Sequence, residues 1–366
     1  MSAPPTEGAS AAVVDLLELT AELVAVRSES FDEAELVRRI EARLSAAGHL
    51  RCERVGDNLV ARTELGRPHR VVLGGHTDTV PANDNADARI EGDTLWGVGS
   101  SDMKSGLAVM IALAEAHREP PVDLSFVFYA REEVAARHSG LGELTELRPD
   151  LLAGDVAVLG EPTDGTLEAG CQGSVRVRVR VVGERAHTAR AWMGRNAIHR
   201  LGPLLSAIAL YEPRQPLIQG CRFHEALQVV SVQGGVAGNV VPDEATLDVA
   251  HRFAPDRSAE EATEHLMSIV GPHLADGDEA EVTDVARAAM PALAHPFVSA
   301  MVERSNLTVR AKLGWTDVAR FAELGVPAVN IGPGDPTLAH TRDERVDRAS
   351  VEATYATLDA AIRAGF

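Results

Sequence analysis

The chain has 366 residues, 45% of them hydrophobic and 24% charged. That length fits two domains of ordinary size, and the composition excludes a mostly disordered chain. Lys and Arg number 35 against 54 Asp and Glu, a formal charge of −19, and aromatic residues make up 4%. Nucleic acid and anionic lipid reward clustered cations, and single strands reward stacking platforms, so neither is an expected partner. The three cysteines, Cys52, Cys171 and Cys221, stand far apart and in no CxxC pair. They imply no disulfide framework and no zinc knuckle, and they fit reduced thiols in a cytoplasmic protein. Met1 to Ser10 lacks the basic and apolar regions of a signal peptide, and no apolar run reaches the ~18 residues that span a bilayer.

In chain order, Val13 to Arg27 has apolar residues at helical spacing with acids between, and a second amphipathic helix is expected from Asp32 to Ala47, stopped by Gly48. Unalternated apolar runs follow at Val71–Leu73, Leu124–Tyr129 and Val156–Leu159, with a helical stretch from Ser105 to His117 between the first two. Strands of this kind separated by helices predict an α/β fold with a mostly parallel sheet and helices on both faces. The style changes at Ser174. Val175 to Val181 alternates valine with arginine, the pattern of a strand with one apolar and one wet face. A helix near Arg195–Leu210, strands at Gln228–Gln233 and Ala245–Phe253, a helix opening on the capping box at Ser258 and a strand at Ala280–Ala286 complete a β-α-β-β-α-β order, read as a ferredoxin-like module. After Pro291 the first style returns, with helices near Pro296–Ser305 and after Trp315, a strand at Ala328–Ile331 and a C-terminal helix from Ser350 to Arg363. A small α+β domain, 174–289, is thus expected to interrupt a larger one, 1–173 with 290–366.

Functional groups in open α/β sheets gather at the carboxyl ends of strands. Here those ends read His76-Thr77-Asp78, Glu132-Glu133, Gly160-Glu161-Pro162 and Gly332-Pro333-Gly334, the last followed by Ala339-His340. The turn before the Ser105 helix adds Ser101-Asp102-Met103-Lys104-Ser105-Gly106. Five segments each deliver His, Asp or Glu, a ligand set suited to zinc, manganese or cobalt. Gly97-x-Gly99 is not a dinucleotide loop, because Asp102 holds the third glycine position, and no GxSxG elbow occurs.

With these motifs in this order, the chain resembles the M20 family of co-catalytic metallopeptidases and amidohydrolases, over essentially its whole length. The resemblance implies a zinc-peptidase-like fold and two divalent metal ions, zinc first and cobalt or manganese as alternatives. His76 and Glu161 would hold one ion and Glu133 and His340 the other, with Asp102 bridging. It implies that Asp78 orients His76, that Glu132 is the general base, and that His187 of the small domain donates to the tetrahedral oxyanion. Such a metal pair lowers the pKa of water toward ~7.

Within the family, Tyr129–Val134, Gly170–Gly173, Lys312–Phe321 and Asn330–Pro336 resemble actinobacterial succinyl-diaminopimelate desuccinylases. That branch cleaves N-succinyl-LL-2,6-diaminopimelate to succinate and LL-2,6-diaminopimelate. A substrate rich in carboxylates suggests Arg252 for recognition, a guanidinium fork suiting a carboxylate, with Asn239 and the backbone of Gly332 as further contacts. The chain departs from better-known members at Cys171-Gln172, at Gly238 and at Ala250, all on the expected carboxylate-binding side. Another N-acyl-amino-acid hydrolase, such as an acetylornithine deacetylase or a carboxypeptidase-like member, stays open, as does an inactive binding relative. The resemblance also implies a homodimer through the inserted domain, using the helix near Arg195–Leu210 and the strand Val175–Val181 as a sheet edge, with His187 reaching the partner's site.

Overall fold

The computed structural model describes residues 14–366. The readings of Met1–Ser10 and of Val13 lie outside the described residues. The chain forms two compact units, one running to Gly165 and resuming at Ile331–Phe366, the other Thr166–Asn330.

In the first unit the helix Leu16–Val24 starts at Asp15, whose carboxylate accepts the N–H groups of Leu17 and Glu18. The helix Ala34–Ala46 buries Leu36, Val37, Ile40 and Leu44, one face at helical spacing. It ends before Gly48, whose φ of +75° suits glycine. The sheet order is Arg51–Val55, Asn58–Arg62, Asp123–Tyr129, Arg70–His76, Val156–Leu159. Arg70–His76 runs parallel to both of its neighbours, while the first two strands are antiparallel additions. Every residue of Asp123–Tyr129 is buried, which explains its unalternated sequence. The helix Ser105–Ala116 is buried from Ser105 to Ala114 and packs against Arg70–His76 and the helices Leu16–Val24 and Arg348–Ala364. A small antiparallel sheet of Arg89–Glu91, Thr94–Trp96 and Arg345–Asp347 ties the C-terminal segment to the strand before Gly97.

The second unit contains the expected module and extends beyond it at both ends. Its four-stranded antiparallel sheet has the order Ala226–Gly234, Glu244–Phe253, Gly173–Val182, Glu279–Ala286. Numbered along the chain this is 2-3-1-4, a ferredoxin-like arrangement. Val175, Val177, Val179 and Val181 face the helices Ala197–Ala209 and Ala259–Val270 and share a core with Leu201, Leu204, Leu247, Val249 and Leu266. The intervening arginines face outward, where Arg178 pairs with Asp248 and Arg180 with Glu244. Ser258 and Glu261 form the capping box read from the sequence. One expectation is corrected. Gly173–Val182 is bonded on both sides, so Val175–Val181 is no sheet edge; the edges are Ala226–Gly234 and Glu279–Ala286. Alternation reports the two faces of a strand and says nothing of its lateral neighbours. The unit also holds the helices Pro296–Ser305 and Val318–Glu323 and the short strands Leu167–Ala169, Val309–Ala311 and Ala328–Asn330. Among the described residues no helix is long and apolar enough to cross a membrane.

Candidate metal centre and catalytic site

His76 ends its strand with the ring buried. Its Nδ1 lies 3.0 Å from the backbone oxygen of Asp78 and 3.5 Å from Asp78 Oδ1. An Nδ1–H donated there leaves Nε2 as the free lone pair, aimed at Asp102 Oδ1 at 3.1 Å. Asp102 is no helix cap. Its φ of −118° and ψ of 96° take the chain out of helical geometry before Ser105, and the Asp102–Met103 peptide is cis. Its other oxygen, Oδ2, lies 3.4 Å from His340 Nε2, which is 2.7 Å from Glu133 Oε1. Ligand atoms of His76, Asp102 and Glu133 all fall within 4.8 Å of one another.

These donors fit a pair of divalent cations. Imidazole nitrogen and carboxylate oxygen suit zinc, and each Asp102 oxygen faces a different histidine, as a bridge between two ions requires. The electrostatics agree. Burial pushes the His76 ring down, yet hydrogen bonds with Asp102 and Asp78 outweigh it and hold the ring well above the usual imidazole range. Hydrogen bonds with Asp102 and Glu133 push His340 up to about 10. Burial would raise Asp102, but its bonds to His340 and His76 hold it well below the carboxylate range. Such a concentration of negative charge is the field a cation neutralises, with release of the imidazole protons.

Glu132 and Glu133 lie in the loop after Asp123–Tyr129 and do not start a helix. Asp78 organises them. Its Oδ1 accepts Glu132 N–H at 3.0 Å, and its Oδ2 accepts Glu133 N–H at 3.1 Å and the Ser30 hydroxyl at 2.7 Å. Against the upward pull of burial, the His76 and Ser30 bonds hold Asp78 at about 2. Glu161 is buried two residues beyond Leu159, and Leu159 is the register partner of Gly74, two residues before His76. Gly332 is tied to the loop after Val156–Leu159. Its N–H donates to the Thr163 hydroxyl, its carbonyl accepts from Thr163 and Gly165, and a Cβ there would meet Gly160 O at 2.2 Å. The lack of a side chain at Gly332 therefore permits close packing against Gly160.

In the second unit, Ala186–His187 pairs with Val240–Val241, and Thr188 N–H donates to Asn239 O, so His187 and Asn239 are neighbours. His187 is exposed, and its Nδ1 accepts Ala189 N–H at 3.0 Å. Nδ1 as acceptor puts the proton of the neutral ring on Nε2, where it can be donated outward. Arg252 is half-buried opposite Ser174; burial, and then the cation of Arg176, lower its pKa. Cys171 and Gln172, where the sequence departs from the better-known pattern, are both buried in this unit.

Three supporting residues escaped the sequence reading. Ser30 bonds Asp78, Glu33 Oε1 accepts the N–H groups of Phe31 and Arg131, and Glu344 accepts those of Ser101 and Asp102. Burial pushes the Glu344 carboxyl up to about 7. A polar residue on a loop carries no periodic signal, and each of the three has a partner far away in sequence: Asp78 for Ser30, Arg131 for Glu33, Ser101 and Asp102 for Glu344.

Known proteins resemble the chain along most of its length. A relative from Mycobacterium tuberculosis, provisionally named succinyl-diaminopimelate desuccinylase DapE, is 49% identical over 342 residues, 93% of this chain and 95% of its own. The succinyl-diaminopimelate desuccinylase of Corynebacterium glutamicum is 42% identical over 337 residues, 90% and 91% of the two chains. Among solved structures, a Staphylococcus aureus tripeptidase superposes with a TM-score of 0.77 at 22% identity, over 96% of this chain and 97% of its own. Bacillus subtilis YXEP, described as a dinuclear metal-binding peptidase of the M20 family, gives 0.69 at 18% identity over 95% and 97%. Residues 72–364 match the model of peptidase family M20/M25/M40, and the chain belongs to that family.

Proposed function

We propose that the chain hydrolyses the amide of N-succinyl-LL-2,6-diaminopimelate, releasing succinate and LL-2,6-diaminopimelate. The reading is carried by one observation, the split of the Asp102 carboxylate between His76 and His340 with Glu133 beside it. The names of the two actinobacterial relatives support the substrate. His76 and Glu161 would hold one divalent ion, Glu133 and His340 the other, with Asp102 between, zinc being the first choice and cobalt or manganese the alternatives. Ions bound there would supply Lewis acidity for the amide carbonyl and for the attacking water.

The chain's own residues do the rest. Glu132 takes the proton of the attacking water as the C–O bond forms, then gives it to the amine nitrogen as the C–N bond breaks. Its neighbour Glu133 is occupied with His340, and Asp78 holds the backbone of both. His187 Nε2–H stabilises the oxyanion. Arg252 receives a substrate carboxylate, with Asn239 beside His187 as a further contact. In this reading 174–289 is the inserted domain through which two copies pair, and the enzyme works in the cytoplasm.

A release assay tests the substrate. Purified zinc-loaded protein is given N-succinyl-LL-diaminopimelate, N-acetylornithine and a dipeptide. The succinylated compound is expected to have the highest kcat/KM. Preference for either of the others overturns the acyl assignment, and no hydrolysis of any of them leaves the inactive-relative reading.

A further inference from the structure

We infer that Glu344 is a positioning residue for the bridging carboxylate of Asp102, an inference that rests on the two-ion reading of the site. A single oxygen of Glu344, Oε1, accepts two successive backbone N–H groups, those of Ser101 and Asp102, each at 3.0 Å. Those groups sit where the chain leaves regular geometry. Asp102 and Met103 have φ/ψ of −118°/96° and −133°/36°, so the helix that begins at Ser105 supplies no pattern to fix them. Ser101 is fully buried and Glu344 is 1% exposed. Removing the acceptor therefore takes a fixed partner from two N–H groups in a buried place.

The connection to the metal centre runs through the chain as well as through space. Glu344 follows His340 by four residues, so one segment delivers a ligand and the support for another. The backbone oxygen of Glu344 accepts Gly97 N–H at 3.1 Å, and the next residues, Arg345–Asp347, pair with Thr94–Trp96. The loop bearing Asp102 is thus tied to this segment at its entry by backbone and at its ligand by the Glu344 side chain. Asp102 must present one oxygen to each histidine, and a small rotation of its backbone would spoil both contacts together. Residues that hold a metal ligand from behind typically contribute 10–100-fold in affinity or activity.

The test is metal affinity, measured by chelator competition with Zn²⁺ and Co²⁺ on the purified full chain, with circular dichroism to verify folding. Wild type is expected to bind two ions. Glu344→Ala is expected to bind the pair 10–100-fold more weakly. Glu344→Gln keeps an acceptor oxygen and is expected to lose about 3–10-fold. If the alanine variant does not fold, the glutamine variant alone decides. A wild-type chain that binds no pair of ions defeats the two-ion reading. A normal wild type with Glu344→Gln, and any folded Glu344→Ala, within two-fold of it defeats the role of Glu344. A loss of thermal stability without a change in affinity reduces Glu344 to a structural part and also overturns the inference.

Discussion

The carboxylate of Asp78 accepts the backbone N–H of Glu132 at 3.0 Å. The same carboxylate faces the ring of His76 and takes the next N–H, that of Glu133. One side chain therefore aims a proposed metal ligand and sets the loop of the proposed base. Asn in its place offers one acceptor and turns an amide N–H₂ toward a donor. Asp78→Asn is expected to lower kcat/KM by roughly 10–100-fold, with the fold intact by circular dichroism. Activity within two-fold of wild type would remove Asp78 from the machinery.

The adjacent glutamates should separate by readout. Glu132→Ala is expected to keep both metals and lose ~10²–10⁴-fold in kcat. Glu133→Ala is expected to lose metal, because Glu133 Oε1 lies beside His340 Nε2. Metal content and single-turnover rates of the two variants decide. A Glu132→Ala enzyme within a few-fold of wild type places the base elsewhere.

The strand ends were legible because their signals are local. Val71–Leu73, Leu124–Tyr129 and Val156–Leu159 announce buried strands, and each is followed by polar residues with metal chemistry. The Val175–Val181 alternation and the Ser258 capping box were equally direct. What escaped is long-range. The Glu344 bonds cross more than 240 residues, and Ser30 reaches Asp78 across 48. The strands Arg51–Val55 and Arg345–Asp347 are short and largely polar, so periodicity gives them no weight. Sheet order was misread at Val175–Val181, since a sequence shows which way its side chains alternate and not which strands flank it.

His187 provides a test of assembly. If each site combines Glu132 of one chain with His187 of the other, homodimers of Glu132→Ala and of His187→Ala should each be nearly dead. In the mixed dimer one site carries both lesions and the other neither, so co-expression should restore a sizeable fraction of activity. Verified heterodimers with no recovery would assign His187 to its own chain.

Acid stability of the second unit should depend on Asp278. Its carboxylate accepts two bonds from Arg200, at 2.8 and 2.5 Å, and the N–H groups of Val182 and Ala275. Burial raises its pKa, but these partners, Arg200 foremost, hold it at about 2. The folded value lies below the ordinary one, so the unfolded chain binds the proton more readily. The contribution is present above pH ~4 and is lost as pH falls toward ~2. Asp278→Asn is expected to cost about 2–4 kcal/mol at neutral pH, and the difference from wild type should shrink across that acid window. Denaturant melts from pH 7 to 2 measure it. A constant difference over the series would contradict the assignment.

The most direct measurement of the two-ion site is anomalous scattering from crystals of the zinc-loaded protein. The geometry predicts two peaks per chain, ~3.5–4 Å apart, with the Asp102 carboxylate between them and one oxygen on each. His76 should touch the first and Glu133 with His340 the second. A lone peak at full loading, or two peaks without Asp102 between them, would contradict it.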